Sequence, residues 1–185
     1  MKKLVICLLI FFAISNFACV PSLHPFFSES DVIFDKCLVG KWWDRDYRVS
    51  WQFDRRGHKA YRLTQIDEDG EATVFEATLF QLNGRTFLDL APILDKDKYG
   101  TTLLRTHTLI GISIENERLR IATLDPGWLR EQLVRSPNLL KHTYLENELV
   151  LTDTTDSLQA LIRRSMNSPA AFEAPEEVFK QGENK

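Results

Sequence analysis

The sequence predicts a mainly β protein: an antiparallel barrel of about eight strands, with one helix before the last strand and a C-terminal helix. Apolar and polar residues alternate with a period of two through the middle of the chain, as is typical of half-buried strands. Turn signals separate these runs at short intervals, which favours successive hairpins. A long meander has exposed edges unless it closes, so we expect closure into a barrel. The alternative is an open antiparallel sheet with helices on one face.

Residues 1–18 have the features of an export signal. Two lysines follow the initiating methionine, residues 4–14 are all apolar, and the small Ala18 directly precedes Cys19. A positive start, a short apolar stretch and a small residue before the cut are typical of secretory signals. The apolar stretch is shorter than the roughly 20 residues that span a bilayer. We therefore expect residues 1–18 to be removed, rather than to form a buried helix or strand of the domain.

The segment Asn16-Phe17-Ala18-Cys19 resembles the lipobox of bacterial lipoproteins. The resemblance implies that Cys19 becomes the first residue and is acylated, with palmitate among the acyl chains. Several chains on one residue anchor a protein stably, whereas one chain is marginal. By resemblance to enterobacterial lipoproteins, Val20 after the cysteine is not an inner-membrane retention signal, which implies the outer membrane of the cell envelope, facing the periplasm. The membrane is then a partner through the N-terminal lipid.

Residues 19–36 are predicted to be a tether, because prolines and the polar cluster 28–31 favour extended, irregular chain. With Cys19 acylated and the leader removed, Cys37 has no cysteine to pair with. Its apolar neighbours predict a small buried hydrophobe rather than a reactive thiol. If Cys19 is not acylated, a disulfide between Cys19 and Cys37 is the alternative.

Alternation of apolar and polar residues, together with turn residues, predicts the first strands. Apolar residues alternate with polar ones over 47–53, and the chain turns at 55–58 and returns over 61–64. The run 72–82 is rich in β-branched and aromatic residues. Asn83-Gly84, which tolerates positive φ at both positions, then predicts a tight hairpin.

The second half of the chain continues the meander and adds the helices. After a return strand at 86–90, residues 91–102 are predicted to be a loop, and 103–114 and 119–124 a further hairpin. Asp125-Pro126 is typical of a helix start, with a capping carboxylate before a proline.

Beyond that helix we expect a last strand and a final helix, and then a tail. The strand is predicted around 149–151, and Leu158, Leu161 and Ile162 share one face of the helix that follows. From residue 167 the composition turns to Ala, Pro, Glu and Lys. The sequence thus predicts a barrel domain over 37–166 and a flexible tail over 167–185.

Gly40-Lys41-Trp42 resembles the Gly-x-Trp opening of lipocalins and their relatives. In that family the tryptophan begins the first strand and plugs one end of an eight-stranded barrel, and an arginine after the last strand lies over it. No arginine closely follows Leu151 here. The resemblance implies a lipocalin-like barrel and, by analogy, a carrier or binding module for an apolar ligand such as a fatty acid or lipid.

Five large residues are candidates for the barrel interior or for the lining of a ligand cup. These residues are Trp42, Trp51, Tyr61, Phe75 and Leu88. Eight-stranded barrels can hold one small ligand. Aromatic residues also dominate ordinary cores, so the competing interpretation, which we favour, is that these side chains fill the interior.

Composition and motifs exclude several function classes. The formal net charge of −3 is not the excess of positive charge that is typical of nucleic-acid-binding domains. The four histidines are scattered without helical zinc-site spacing, and no phosphate loop or nucleophile elbow is present. We therefore expect no cofactor, no metal and no enzymatic activity. The sequence predicts a membrane-anchored envelope lipoprotein that acts as a non-catalytic interaction or envelope-maintenance protein, with the lipocalin-like carrier as the alternative.

Overall fold

The computed structural model describes residues 20–93 and 104–181. The predicted signal peptide, Cys19 and most of the predicted loop at 91–102 lie outside these ranges. The described strands, in chain order, are β1 (Pro21–Ser22), β2 (Gly40–Trp43), β3 (Ser50–Arg56), β4 (Ala60–Ile66), β5 (Ala72–Leu82), β6 (Arg85–Pro92), β7 (His107–Glu115), β8 (Arg118–Thr123), β9 (His142–Leu145), β10 (Glu148–Leu151) and β11 (Glu176–Lys180). The α-helices are α1 (Pro126–Arg135) and α2 (Thr155–Ser165), and short 3-10 helices cover Lys36–Leu38 and Pro169–Ala171.

Eight of these strands form a closed antiparallel barrel. Strands β2 to β8 pair in sequence order as an up-and-down meander. Strand β11 pairs with both β8 and β2 and so closes the ring. Closure gives each of these eight strands a paired neighbour on both sides, so none is an edge strand of the ring. The predicted fold class is confirmed: a mainly β protein with an eight-stranded antiparallel barrel and two helices.

The strand that completes the barrel differs from the predicted one. Residues 148–151 form β10, which pairs with β9 and β1 in a side sheet outside the ring. The ring is completed by β11, inside the segment predicted as a flexible tail over 167–185. Among the five residues of β11 only Val178 is buried, so the strand has almost no apolar pattern of its own. Its position is stabilised by ladder hydrogen bonds to both neighbours.

The segment predicted as a tether over 19–36 packs on the barrel from Val20 onward. Phe26 is fully buried, and β1 pairs with β7 on one side and β10 on the other. The backbone N–H of Ile33 donates to the carbonyl of Leu79 at 2.9 Å. Burial of Val20 and Phe26 removes apolar surface from water. This gain in free energy outweighs the preference of the prolines for irregular chain.

Two separate clusters make up the core. The inner cluster lies inside the barrel, and the outer cluster lies between the outer wall and the elements that cover it. Phe80 and Leu82 of β5 point outward, where Leu129 of α1 and Leu158 of α2 cover them. The helices therefore pack on the outside of the barrel rather than over an open sheet.

Both helices have a side-chain cap at their start, and the first begins where the sequence predicts. The Asp125 carboxylate accepts a hydrogen bond from the backbone N–H of Trp128 at 2.6 Å, and Pro126 occupies the first turn. Thr154 caps the second helix through the N–H of Ser157. These caps satisfy backbone donors that have no partner within the helix. Within the described ranges, neither helix has the length and apolar character needed to cross a bilayer.

Candidate functional site

The two ends of the barrel differ in how the chain covers them. The turn end carries the short connections at 57–59, 83–84 and 116–117, and the loop end carries the longer ones. Before β2 begins, the chain crosses the turn end from Val32, which bridges to Phe80 of β5, to the 3-10 helix before Gly40. The turn end is therefore partly closed by the chain's own N-terminal segment.

The five candidate interior residues lie together in or against the inner cluster. Trp42, Tyr61 and Leu88 are fully buried, Trp51 is 4% exposed, and Phe75 is partly buried at the edge of the cluster. Their neighbours are other apolar side chains: Phe53, for example, packs edge-on against Tyr61 with ring centroids 6.2 Å apart. Four of the five are thus buried in the inner cluster, and Phe75 packs against it.

Tyr61 fastens the N-terminal segment across the turn end. Its hydroxyl accepts a hydrogen bond from the backbone N–H of Asp35 at 2.7 Å and donates one to the carbonyl of the same residue at 2.9 Å. Phe34 stacks on the Tyr61 ring at 4.9 Å, and the Arg55 guanidinium lies over Phe34. Burial raises the pKa of Tyr61 to about 12, because the phenolate would lose its hydration. The hydroxyl therefore acts as a neutral structural group.

A second set of contacts at the same end involves Gly40, Trp42 and Lys180. The Trp42 indole N–H donates to the carbonyl of Leu38 at 2.9 Å. Gly40 has φ +127°, and a Cβ there would come within 3.1 Å of the Lys180 side chain. The first residue of the Gly-x-Trp motif is thus required both by its backbone conformation and by close packing.

The remaining part of the turn end is an open cleft with a volume of about 580 Å³. It forms where β7 extends past the start of β6: Thr86 pairs with Ile112, and Ser113 to Glu115 pair only with β8. Its apolar lining consists of Ile33, Leu79, Phe87, Ile112, Ile114 and Phe172. Its polar lining includes Asp35, Arg85, Thr86, Ser113 and Arg120. None of the five candidate interior residues lines it.

Small residues shape the outer half of the cleft. A Cβ on Gly111 would lie 3.5 Å from the carbonyl oxygen of Ala122 and 3.7 Å from the Phe172 ring. Phe172 in turn packs on Phe87, with ring centroids 6.2 Å apart. A glycine within the strand permits this close approach.

The two arginines of the cleft differ in their surroundings. Arg120 is paired with Glu177 at 3.0 Å and lies 3.8 Å from Glu115. The hydrogen bond between Arg120 and Glu177 raises the pKa of Arg120 and lowers the pKa of Glu177. Arg85 is exposed and has no ion-pair partner among the described residues. Arg85 is therefore the cation most available to an anionic group entering the cleft.

Cys37 lies at the surface, so the prediction that it is a small buried hydrophobe is wrong. It sits in the 3-10 helix whose buried residue is Leu38, and its backbone N–H donates to the Asp35 carboxylate at 2.8 Å. The apolar neighbours that predicted burial pack inward and turn Cys37 to solvent.

Across residues 20–93 and 104–181, no group of three or more His, Cys, Asp or Glu side chains is arranged to hold a metal ion. The chain matches no protein-family model, no curated protein and no solved structure with which it was compared.

Proposed function

We propose that this protein is a lipid-anchored lipoprotein of the bacterial cell envelope that acts by binding rather than by catalysis, through the outside of a solid barrel. The observation that carries the proposal is the packed interior. A carrier barrel holds its ligand inside, whereas here Trp42, Trp51 and Tyr61 occupy that space. Surface and cleft are then the parts of the domain available to a partner.

The lipocalin-like resemblance is supported by how the barrel closes. The tryptophan of the Gly-x-Trp motif lies in the first barrel strand, and a cation at the end of the last strand lies over it. In the family the corresponding cation follows the last strand. The cation here is Lys180 rather than an arginine. We infer a lipocalin-like architecture in which packed side chains replace the ligand cup.

Acyl anchoring can be tested by metabolic labelling with radioactive palmitate. We expect label in the wild-type protein and none in Cys19→Ser. Cys37→Ser is the matched control, because it removes an exposed thiol and should be labelled like wild type. Label that survives in Cys19→Ser, or that is lost in Cys37→Ser, would contradict the anchor.

The cleft supports a second candidate function, the binding of a small amphipathic acid such as a fatty acid. Its volume of about 580 Å³ falls within the roughly 300–1,000 Å³ of ordinary ligand pockets. Its apolar wall would accept a hydrocarbon chain, and the exposed Arg85 would pair with the carboxylate. This site lies at the turn end, where Leu79 and Ile112 of the inner cluster form part of its wall.

Native mass spectrometry separates the two functions. The chain expressed from Val20 retains every buried residue of the N-terminal segment and should show only its own mass if the barrel is solid and the cleft empty. A fatty-acid adduct that is lost in Ser113→Trp but kept in Asp54→Trp would establish the cleft as the binding site, because Ser113 lines it and Asp54 lies outside it. Arg85→Gln against Arg62→Gln then tests the carboxylate partner, since both arginines are exposed.

A further inference from the structure

The hairpin of β9 and β10 exposes two neighbouring apolar side chains. Tyr144 is 54% exposed and Leu145 is 67% exposed. Directly after them the chain turns through Glu146 and Asn147, both with positive φ, into β10. β9 pairs only with β10 among the described strands. Tyr144 and Leu145 are consecutive in β9, so they project from opposite faces of the hairpin, near its tip at the edge of the side sheet.

Strand register places the start of the described chain next to this hairpin. Ser22 of β1 lies opposite Leu151 in a parallel pair, and the N–H of Leu23 donates to the Leu151 carbonyl at 2.9 Å. If this register is continued two residues back, Val20, which directly precedes β1, lies beside Leu149 of β10. Leu149 is paired with Tyr144 of β9. Since neighbouring strands are about 4.8 Å apart, Tyr144 lies roughly 10 Å from Val20.

Val20 packs directly against the domain. Val20 is 5% exposed and belongs to the outer cluster. Cys19 directly precedes Val20 in the sequence. An acyl chain on Cys19 would therefore hold the domain against the bilayer by the side on which Val20 emerges.

We propose that the β9–β10 hairpin rests in the headgroup layer of the membrane, with Tyr144 and Leu145 as its contact residues, so that the barrel lies flush on the bilayer by its β7 side. This inference rests on the proposed function, because it needs the acylated Cys19. Tyrosine at an interface keeps its ring in the apolar boundary and its hydroxyl in water. The exposed Glu146 and Glu148 beside the pair make zwitterionic rather than anionic lipid the fitting surface.

The barrel provides a matched control on its opposite wall. β3 lies four strands from β7 in either direction around the eight-stranded ring. Asp54 of β3 is exposed and faces away from the side sheet. A probe at Asp54 should therefore stay in water when a probe at Leu145 meets lipid.

The test uses the full-length acylated protein with Cys37→Ser, carrying either Leu145→Cys or Asp54→Cys labelled with an environment-sensitive fluorophore. The labelled proteins are reconstituted in phosphatidylcholine–phosphatidylethanolamine vesicles that contain spin-labelled lipid. At position 145 we expect a blue-shifted emission and quenching at least about twofold stronger than at position 54, since interfacial side chains lie roughly 5–10 Å deep in the headgroup region. Equal melting temperatures of the two proteins show that both are folded.

Three results overturn the inference, and palmitate incorporation identifies which part has failed. Acylated protein with equal quenching at both positions leaves the anchor standing and removes the hairpin contact. Absence of palmitate from the protein removes the anchor and, with it, the hairpin contact. A blue shift at position 145 that appears without vesicles and grows with protein concentration assigns the hairpin to a second copy of this chain instead.

Discussion

The ammonium of Lys180 lies 5.5 Å from the centroid of the Trp42 ring and 3.0 Å from the carbonyl oxygen of Cys37. Lys180 belongs to the last strand of the barrel and Trp42 to the first, and the two residues are register partners. The contact thus joins the two ends of the meander where the ring closes. Gly40 makes room for the lysine stem, which explains why a glycine stands two residues before the tryptophan.

Replacing Lys180 tests how much this contact contributes to stability. Lys180→Ala removes a cation–aromatic contact and a hydrogen bond to a carbonyl, and should lower the free energy of unfolding by about 1 kcal/mol. Lys180→Arg keeps a cation of similar reach and should retain most of that stability. Denaturant unfolding followed by tryptophan fluorescence measures both. Equal losses for the two variants would mean that the cation does not act on Trp42.

The sequence predicted the parts of the fold that depend on nearby residues. Asn83 and Gly84 both have positive φ and join β5 to β6, as the Asn-Gly pair predicts. Asp125 caps α1 as expected. In each case the physical cause lies within a few residues of the element, so one segment of sequence is enough to indicate it.

The parts that were missed depend on distant partners. β11 is a strand because β8 and β2 lie on either side of it, and only Val178 carries an inward apolar signal. Residues 20–36 are ordered because Phe26 fits beneath distant elements; its backbone N–H donates to the buried Asp89 carboxylate at 2.8 Å. The cleft arises from strand lengths and register, which composition and motifs do not indicate.

Trp43 of β2 and Trp51 of β3 lie on opposite faces of two paired strands and allow the two barrel faces to be compared. Trp51 is 4% exposed in the inner cluster, whereas Trp43 lies on the outer face beside Tyr47 and Lys41. Trp51→Ala should lower the free energy of unfolding by about 3–5 kcal/mol, as for large-to-small changes in a core. Trp43→Ala should cost clearly less, because water can fill the space. Chemical denaturation of both variants is the measurement; similar losses would contradict the assigned faces.

Deprotonation of Tyr61 should lower the stability of the protein at alkaline pH. Burial raises its pKa from 10.0 to about 12, so the folded state holds this proton more tightly than the unfolded state. Its contribution is fully present below pH 10 and is lost as the pH rises toward 12. Tyr61→Phe removes the titrating group, together with its hydrogen bonds to Asp35.

The measurement is the free energy of unfolding between pH 8 and about 11.5 for wild type and for Tyr61→Phe. We expect Tyr61→Phe to be less stable at pH 8 and to lose less stability over the alkaline range. Lysines titrate in both proteins, so the difference between the two curves isolates Tyr61. Parallel curves would contradict the raised pKa.

Removal of the last barrel strand should abolish cooperative folding. A chain that ends at Pro175 lacks β11 and leaves β8 and β2 with unpaired edges, in addition to exposing the inner cluster beside Val178. A chain that ends at Gln181 retains β11 and is the matched control. Val178→Asp is the milder variant, because it places a carboxylate where the side chain is 4% exposed.

Thermal unfolding by near-ultraviolet circular dichroism follows the packing of the inner aromatic residues in these variants. We expect a sharp transition for the chain ending at Gln181, a transition at markedly lower temperature for Val178→Asp, and none for the chain ending at Pro175. A sharp transition in the chain ending at Pro175 would mean that seven strands suffice. Residues 176–180 would then be dispensable for the fold, and ring closure through Lys180 and Trp42 would not be what stabilises the barrel.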